Sequence, residues 1–563
     1  MFFTVRRVAR IRRPRLVAVS TVAEPQPLPA ARPTLYDRWS ARSAADPRIA
    51  ARWAWIAPLL VTLVAGVLRF ANLSNPHALV FDETYYVKDS WSQWVLGFPS
   101  TWPDGADARF LNGETDIFTG QGSFVVHPPL GKYLIGAGMA LFGAESTFGW
   151  RFAVALFGTA TVLVLYLLAH ALTRSVAFAT IASGLMAVDG LAIAMSRVAI
   201  LDIFVAFFVV LAFWFVALDR RRLDDRLAAA MLARSPHHGN EPATVSLRWG
   251  AVMWNRPWII AAGVAAGAAA SVKWSGLYVL AGLGVYLVVA DALARRRLGV
   301  ELWPFDAVRQ GVVTFVLFVP VAFVVYLLSW TGWLMTDGGY DRHSADAEPA
   351  TGVWSWVPLA LQSLWRYHQA IYGFHVGLTT DHSYESPAWQ WPLLIRPTSM
   401  YFNQDALGDA GCGWADGCVQ NIYSMPNPLV WFAAVVAVVY TVYRFALARD
   451  WRLALVLLGV GVTYVPWLLY PDRTTFQFYT VVVLPFLLLS LTFALRDIAR
   501  GGVAASAIPG SPEASYRRTT GQRLVIVFLV VALLVAAFWY PVVNGISVPY
   551  EFYRLHNWVP TWI

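Results

Sequence analysis

Two adjacent carboxylates, Asp82 and Glu83, stand in the run FDETYYVK just past the first membrane-length apolar segment, 54–70. Ionisable groups at a membrane edge cost desolvation free energy, so such a pair marks a candidate functional site. Further on, HPPLGK brings His127 and Lys132 to the start of another apolar segment. Carboxylates followed by a His/Lys cluster fit chemistry at a membrane face on an anionic, lipid-linked substrate. A carboxylate can take the proton from an acceptor hydroxyl, and nearby cations can stabilise charge developing on a phosphate leaving group. On an extended segment neighbouring side chains face opposite sides. One of the pair is then the base, and the other an orienter or a partner for Lys88 or an arginine.

The elements that position these residues cross a membrane. The chain has 563 residues, 58% of them hydrophobic and 14% charged, with mean hydropathy +0.52. Soluble domains are about 45–50% apolar and 25% charged. Apolar segments fall at 54–70, 129–142, 152–172, 177–195, 200–218, 258–272, 276–290, 311–329, 429–445, 453–469, 476–495 and 524–540. A crossing takes about twenty apolar residues, and 129–142 is the shortest segment. Leaving it as a non-crossing piece gives eleven crossings and puts the Arg-rich connections inside, as the positive-inside rule requires. The loops 72–127 and 330–428 then lie outside, with 546–563 as an extracytoplasmic tail. The Arg/Pro-rich stretch 1–52 reads as a flexible cytoplasmic tail, and 501–522 as a flexible cytoplasmic linker.

The net charge of +9 follows this topology better than it follows nucleic-acid binding. Only three basic residues are lysines, Lys88, Lys132 and Lys273, and all map to the outer face. Arg151, Arg197 and Asp202 join Lys273 and Arg473 at segment ends on that face. Each has a structural reading as well. His127 before two prolines fits a helix entry, Lys132 and Lys273 fit snorkelling, and Arg197 with Asp202 fits an ion pair across a turn. Cys412 and Cys418, in a Gly-rich outer loop, fit a structural disulfide. The sequence has no phosphate-binding Gly loop, HExxH or GxSxG motif, so the energy for a reaction must come with an activated substrate such as a lipid-phosphate sugar. It requires no cofactor. A divalent cation held by Asp82, Glu83 and Asp202 is compatible with the residues but unsupported, and no metal-ligand spacing is present.

FDETYYVKDSW, HPPLGKYLIG, GWRFAVALFGT, DGLAIAMSRVAILDIF, SVKWSG and FYTVVVLPF together resemble the actinobacterial protein O-mannosyltransferases, from about residue 54 to 540. The resemblance implies an all-α polytopic membrane protein of the GT-C fold, with 53–545 as its transmembrane domain and short interfacial helices outside. It implies a polyprenyl-phosphate-mannose donor and Ser/Thr hydroxyls of secreted or membrane proteins as acceptors, met as they leave the secretion channel. It implies a single inverting displacement at the outer face of the cell membrane, with Asp82 as base and Glu83 beside it. His127, Lys132, Arg151, Arg197, Asp202 and Lys273 would hold the donor phosphate or shape the site. Unlike the eukaryotic members, the loop 330–428 is too short and Trp-rich to hold a MIR domain. A glycolipid or cell-wall glycan acceptor is the alternative. A secondary transporter is the third reading, and the absence of a visible half-repeat counts against it.

Overall fold

The computed structural model describes residues 33–233, 248–502 and 511–562. Among these, eight helices are long and apolar enough to cross a membrane, including Pro47–Phe70, Thr147–Thr173, Ser275–Arg297, Trp303–Ser329 and Pro512–Val543. Leu130–Phe142, Val176–Ala187 and Pro257–Val272 are shorter apolar helices. Thr147–Thr173 and Asp202–Arg220 are buried around most of their circumference and form the centre. Pro47–Phe70 and Trp303–Ser329 leave most of their apolar side chains facing outward, as helices that meet lipid do. The chain is a multi-pass membrane protein.

Two apolar segments are broken where one helix is expected. The segment 177–195 divides into Val176–Ala187 and Gly190–Ala194. At the break Asp189 accepts from Ala192 N at 3.1 Å and Asn427 N at 3.0 Å. Arg69 donates to the carbonyls of Met186 and Ala187 at the end of the first piece. These charged side chains satisfy helix-end groups that the apolar surroundings leave without water. The segment 476–495 likewise becomes a short 3₁₀ turn, Gln477–Val481, followed by Leu484–Ala499.

Two segments that read as flexible from sequence carry helix where they can be described. Within 1–52, Leu35–Ala45 is a helix opened by a Thr34–Asp37 capping box, and Pro47–Phe70 starts before the tail was expected to end. Within 501–522, Pro512 already begins the long final helix, capped by Ser511. Residues 1–32 and 503–510 lie outside the described residues.

The layer at the Asp82 end of the bundle is not wholly α-helical. Strands β1 (Ser399–Asp405), β2 (Cys418–Tyr423) and β3 (Val548–Pro549) form an antiparallel sheet in that order. A disulfide joins Cys412 to Cys418 across the loop entering β2. Residues 546–562 pack into this layer. The Trp562 indole donates to Leu394 O at 2.6 Å, and Tyr423 Oη donates to Trp562 O at 2.6 Å. The same layer holds the helix Leu359–Gly377. It buries Leu364, Tyr367 and Ile371 on one face and exposes Trp365 and Tyr372 on another.

On the opposite face of the bundle, Arg256 bridges Asp219 at 2.5 Å and Asp291 at 2.6 Å, and Arg295 binds Asp306 at 2.5 Å. These arginines are buried between helices and are not free inner-loop charges.

Gly190 opens its short helix against the Met425 carbonyl, where an added Cβ would lie 2.3 Å from that oxygen. The obstacle is backbone, so the layer must shift. Gly190→Ala is expected to cost about 1–3 kcal/mol, read as a lowered thermal unfolding midpoint in detergent.

Candidate active site

The turn before the site is set by Phe81, whose φ of 52° lies in the left-handed region. Its ring is wedged edge-on against Phe476, Phe478 and His382, which offsets the backbone cost. Asp82 then caps the helix Glu83–Leu96, and its carbonyl accepts from Tyr85 N and Tyr86 N, each at 3.0 Å. The pair does not lie on an extended segment, as the sequence reading assumed. Each residue takes its direction from the start of a helix.

Glu83 points into the protein and is fully buried. Its Oε1 accepts from Arg151 Nε and Ala199 N, both at 2.8 Å. Its Oε2 accepts from Arg151 Nη2 at 2.7 Å and Val80 N at 2.8 Å. A carboxylate has about four lone-pair sites, and all are occupied. Glu83 has no vacancy for an acceptor proton or for one arm of a cation site. Lys88 pairs instead with Asp107 at 2.5 Å.

Arg151 is equally committed. It donates to Pro76 O and Ala78 O, both at 2.9 Å, and ties down the loop that leads to Asp82. Arg197 donates to Arg69 O at 3.0 Å, to Ala71 O at 2.7 Å and to Asn72 O, closing the end of Pro47–Phe70. The expected ion pair between Arg197 and Asp202 is absent, because Asp202 pairs with Lys273 at 2.8 Å. Neither Arg151 nor Arg197 lines the large cavity. Both shape the site from behind.

Asp82 is half-buried, and its carboxyl makes no hydrogen bond among the described residues. Burial pushes its pKa up to about 6, with Lys273 pulling it down and Asp202 adding to the rise. The Asp202–Lys273 pair thus sets the field that Asp82 feels. Lys273 sits in the extended link between Pro257–Val272 and Ser275–Arg297, with its ammonium 5.1 Å from the centre of the Tyr479 ring.

Lys273 also lines a cavity of about 930 Å³ whose walls are mostly aromatic and apolar. His127, His375, Arg473 and Tyr479 line it too. His127 stacks between Tyr86 and His375. Burial holds its pKa well below the usual histidine range, with the Lys273 charge adding to this, so its ring is neutral at neutral pH. Lys132 does not enter the cavity. It donates to His127 O at 2.7 Å and fixes that residue from below. Arg473 is held by His375 O at 3.1 Å and lies over Trp467.

Asp82, His127, Asp202 and Lys273 therefore meet at one end of the bundle. Glu83, Lys132, Arg151 and Arg197 support them, and Cys412 and Cys418 belong to the sheet. Tyr86, His375 and the aromatic wall were not singled out from sequence. Tyr86 stands in the FDETYYVK run itself and Tyr479 in FYTVVVLPF, whereas His375 lies in the long loop with no motif around it.

Two family models match the chain. One, described as dolichyl-phosphate-mannose-protein mannosyltransferase, covers residues 126–233; the other, the C-terminal four TMM region of protein-O-mannosyltransferase, covers 360–562. The polyprenol-phosphate-mannose–protein mannosyltransferase of Mycobacterium tuberculosis is 35% identical over 90% of this chain and 92% of its own. This chain belongs to that mannosyltransferase family. A family member of the same description from Corynebacterium glutamicum is 28% identical over 89% of this chain and 92% of its own. The Saccharomyces cerevisiae Pmt1–Pmt2 complex bound to the sugar donor matches with a TM-score of 0.63 at 15% identity, over 90% of this chain and 92% of that one, so the mannosyltransferase fold is shared.

Arg151→Met strands the Glu83 carboxylate in a buried site. The expected cost is about 3–5 kcal/mol, seen as loss of folded protein and a lower unfolding midpoint. Asp82→Asn should leave both measurements at wild-type values.

Proposed function

We propose that this protein transfers mannose from a polyprenyl-phosphate-mannose donor to Ser or Thr hydroxyls of exported proteins at the outer face of the cell membrane. The observation that carries the reading is Asp82: a half-buried, unbonded carboxylate with a raised pKa, beside the Asp202–Lys273 pair and a lipid-sized aromatic cavity. The other acidic residue of the motif is spent on Arg151.

The acceptor hydroxyl attacks the anomeric carbon of mannose while Asp82 takes its proton. The bond from that carbon to the phosphate oxygen breaks as the new bond to the acceptor oxygen forms. The electron pair leaves with the polyprenyl phosphate, and configuration inverts. A pKa near 6 leaves Asp82 ionised at neutral pH yet more basic than an exposed aspartate, which suits a general base. Lys273 and Arg473 supply positive charge toward the leaving phosphate, and the low-dielectric cavity strengthens that attraction. His127, neutral and stacked, offers a hydrogen bond and no charge. The apolar walls suit the lipid chain of the donor.

With labelled polyprenyl-phosphate-mannose and a Thr-rich peptide, Asp82→Asn should lower kcat by about 10²–10⁴-fold. The base works deprotonated, so kcat/KM should fall as pH drops through about 6 and level off above it. Wild-type transfer by the Asn variant would sink the assignment of the base. Label appearing in lipid glycans and never in peptide would sink the assignment of the acceptor.

A further inference from the structure

The bundle has a second cavity at the end opposite Asp82. Its walls are the far ends of helices that begin at the candidate active site. Asp202–Arg220 has 19 residues, so its two ends lie about 27 Å apart at 1.5 Å per residue. The cavity has a volume of about 320 Å³ and is lined by Arg174, Arg220, Arg221 and Arg452, with Trp451, Asp224 and Asp225.

Its four arginines outnumber its two aspartates. Asp224 is shared between Arg220, at 3.6 Å, and Arg297, which lies outside the cavity, at 2.7 Å. Asp225 is exposed. The side chains of Arg174 and Arg221 have no hydrogen bond or ion pair among the described residues. The Nε of Arg452 is buried without a partner. Arg221 feels the like charges of Arg174, Arg222 and Arg452. Arg220 and Arg452 are both held against the Trp451 ring, at 5.5 and 5.9 Å. Four guanidinium groups at one concavity, those of Arg174 and Arg221 without a partner among the described residues and that of Arg452 only loosely paired with Asp450 at 3.8 Å, are arranged for an anion with several oxygens. The site lies where crossing helices end and is rimmed by a tryptophan, the depth at which lipid headgroups sit.

We propose that this cavity binds a phosphate group, supplied by the headgroup of an anionic lipid. It is separate from the donor cavity and independent of the reaction assigned above.

The test uses full-length protein in neutral detergent, titrated with dihexanoyl phosphatidic acid, dihexanoyl phosphatidylcholine and inorganic phosphate. Phosphatidic acid is expected to bind and to raise the unfolding midpoint. The double variant Arg174→Gln/Arg221→Gln should weaken that binding by at least about tenfold, and Arg221→Gln alone by about fivefold. Neither side chain holds the fold by a hydrogen bond, so peptide mannosylation and the ligand-free unfolding midpoint should stay at wild-type values. Inorganic phosphate binding as tightly as the lipid, and lost in the same variants, supports the phosphate site and assigns it to free phosphate. Equal binding by wild type and both variants overturns the proposal. So does phosphatidylcholine binding as tightly as phosphatidic acid, or no binding of either phosphate probe.

Discussion

The geometry around Asp82 depends on one buried ion pair. Glu83 and Arg151 come from the helices Glu83–Leu96 and Thr147–Thr173, and they bond through two parallel contacts. Desolvating two charges is costly, and Coulomb attraction repays it only when the remaining polar atoms are also satisfied. Here they are: Val80 and Ala199 fill the rest of the carboxylate, and carbonyls of 73–80 take the rest of the guanidinium. The pair thereby fastens the segment before Asp82 to the central helix. Asp82, one residue away, is left without a partner and turned toward Lys273 and Asp202. The motif divides its work between a residue that holds and a residue that is held.

The same division runs through the other charges near the membrane edge. Arg69, Arg151 and Arg197 each donate to two or more backbone carbonyls at helix ends and loops. A guanidinium has five N–H donors in a fixed fork, which suits it to gathering several carbonyls where water is scarce. Lysine is a point charge on a flexible stem, and Lys273 is the lysine that reaches the cavity. The three lysines of an arginine-rich chain fill separate tasks: Lys88 pairs with a loop aspartate, Lys132 holds a backbone carbonyl, and Lys273 sets the field around Asp82.

Much of this was legible in the sequence at the level of place. Charges at the ends of apolar segments marked the end of the bundle where Asp82, His127, Asp202 and Lys273 meet, because a membrane leaves few other reasons to keep them. The separation of Asp82 from Glu83 was anticipated on the wrong ground, strand alternation, when a helix start was responsible. Arg151 and Arg197 looked the same as Lys273 by charge and position. What distinguishes them is how many carbonyls lie within reach, and that depends on contacts between segments far apart in the chain. The broken helix at Asp189 and the three-stranded sheet were hidden for a similar reason. Asp189 is repaid by Asn427, and β2 by residues that follow the last long helix. Arg256, at the end of an Arg-rich connection, is neutralised across helices by Asp219 and Asp291.

The cavity beside Asp82 is bounded on one side by rigid crossing helices and on the other by Leu359–Gly377. That helix lines the cavity with His368 and His375 and also with Trp365 and Tyr372, which stay largely exposed. Amphipathic aromatic side chains settle at the headgroup level of a bilayer. One wall is thus positioned by protein packing and the opposite wall partly by the lipid. Bilayer thickness becomes a variable of the cavity's geometry, and turnover compared across membranes of different acyl-chain length reads the spacing between the two walls.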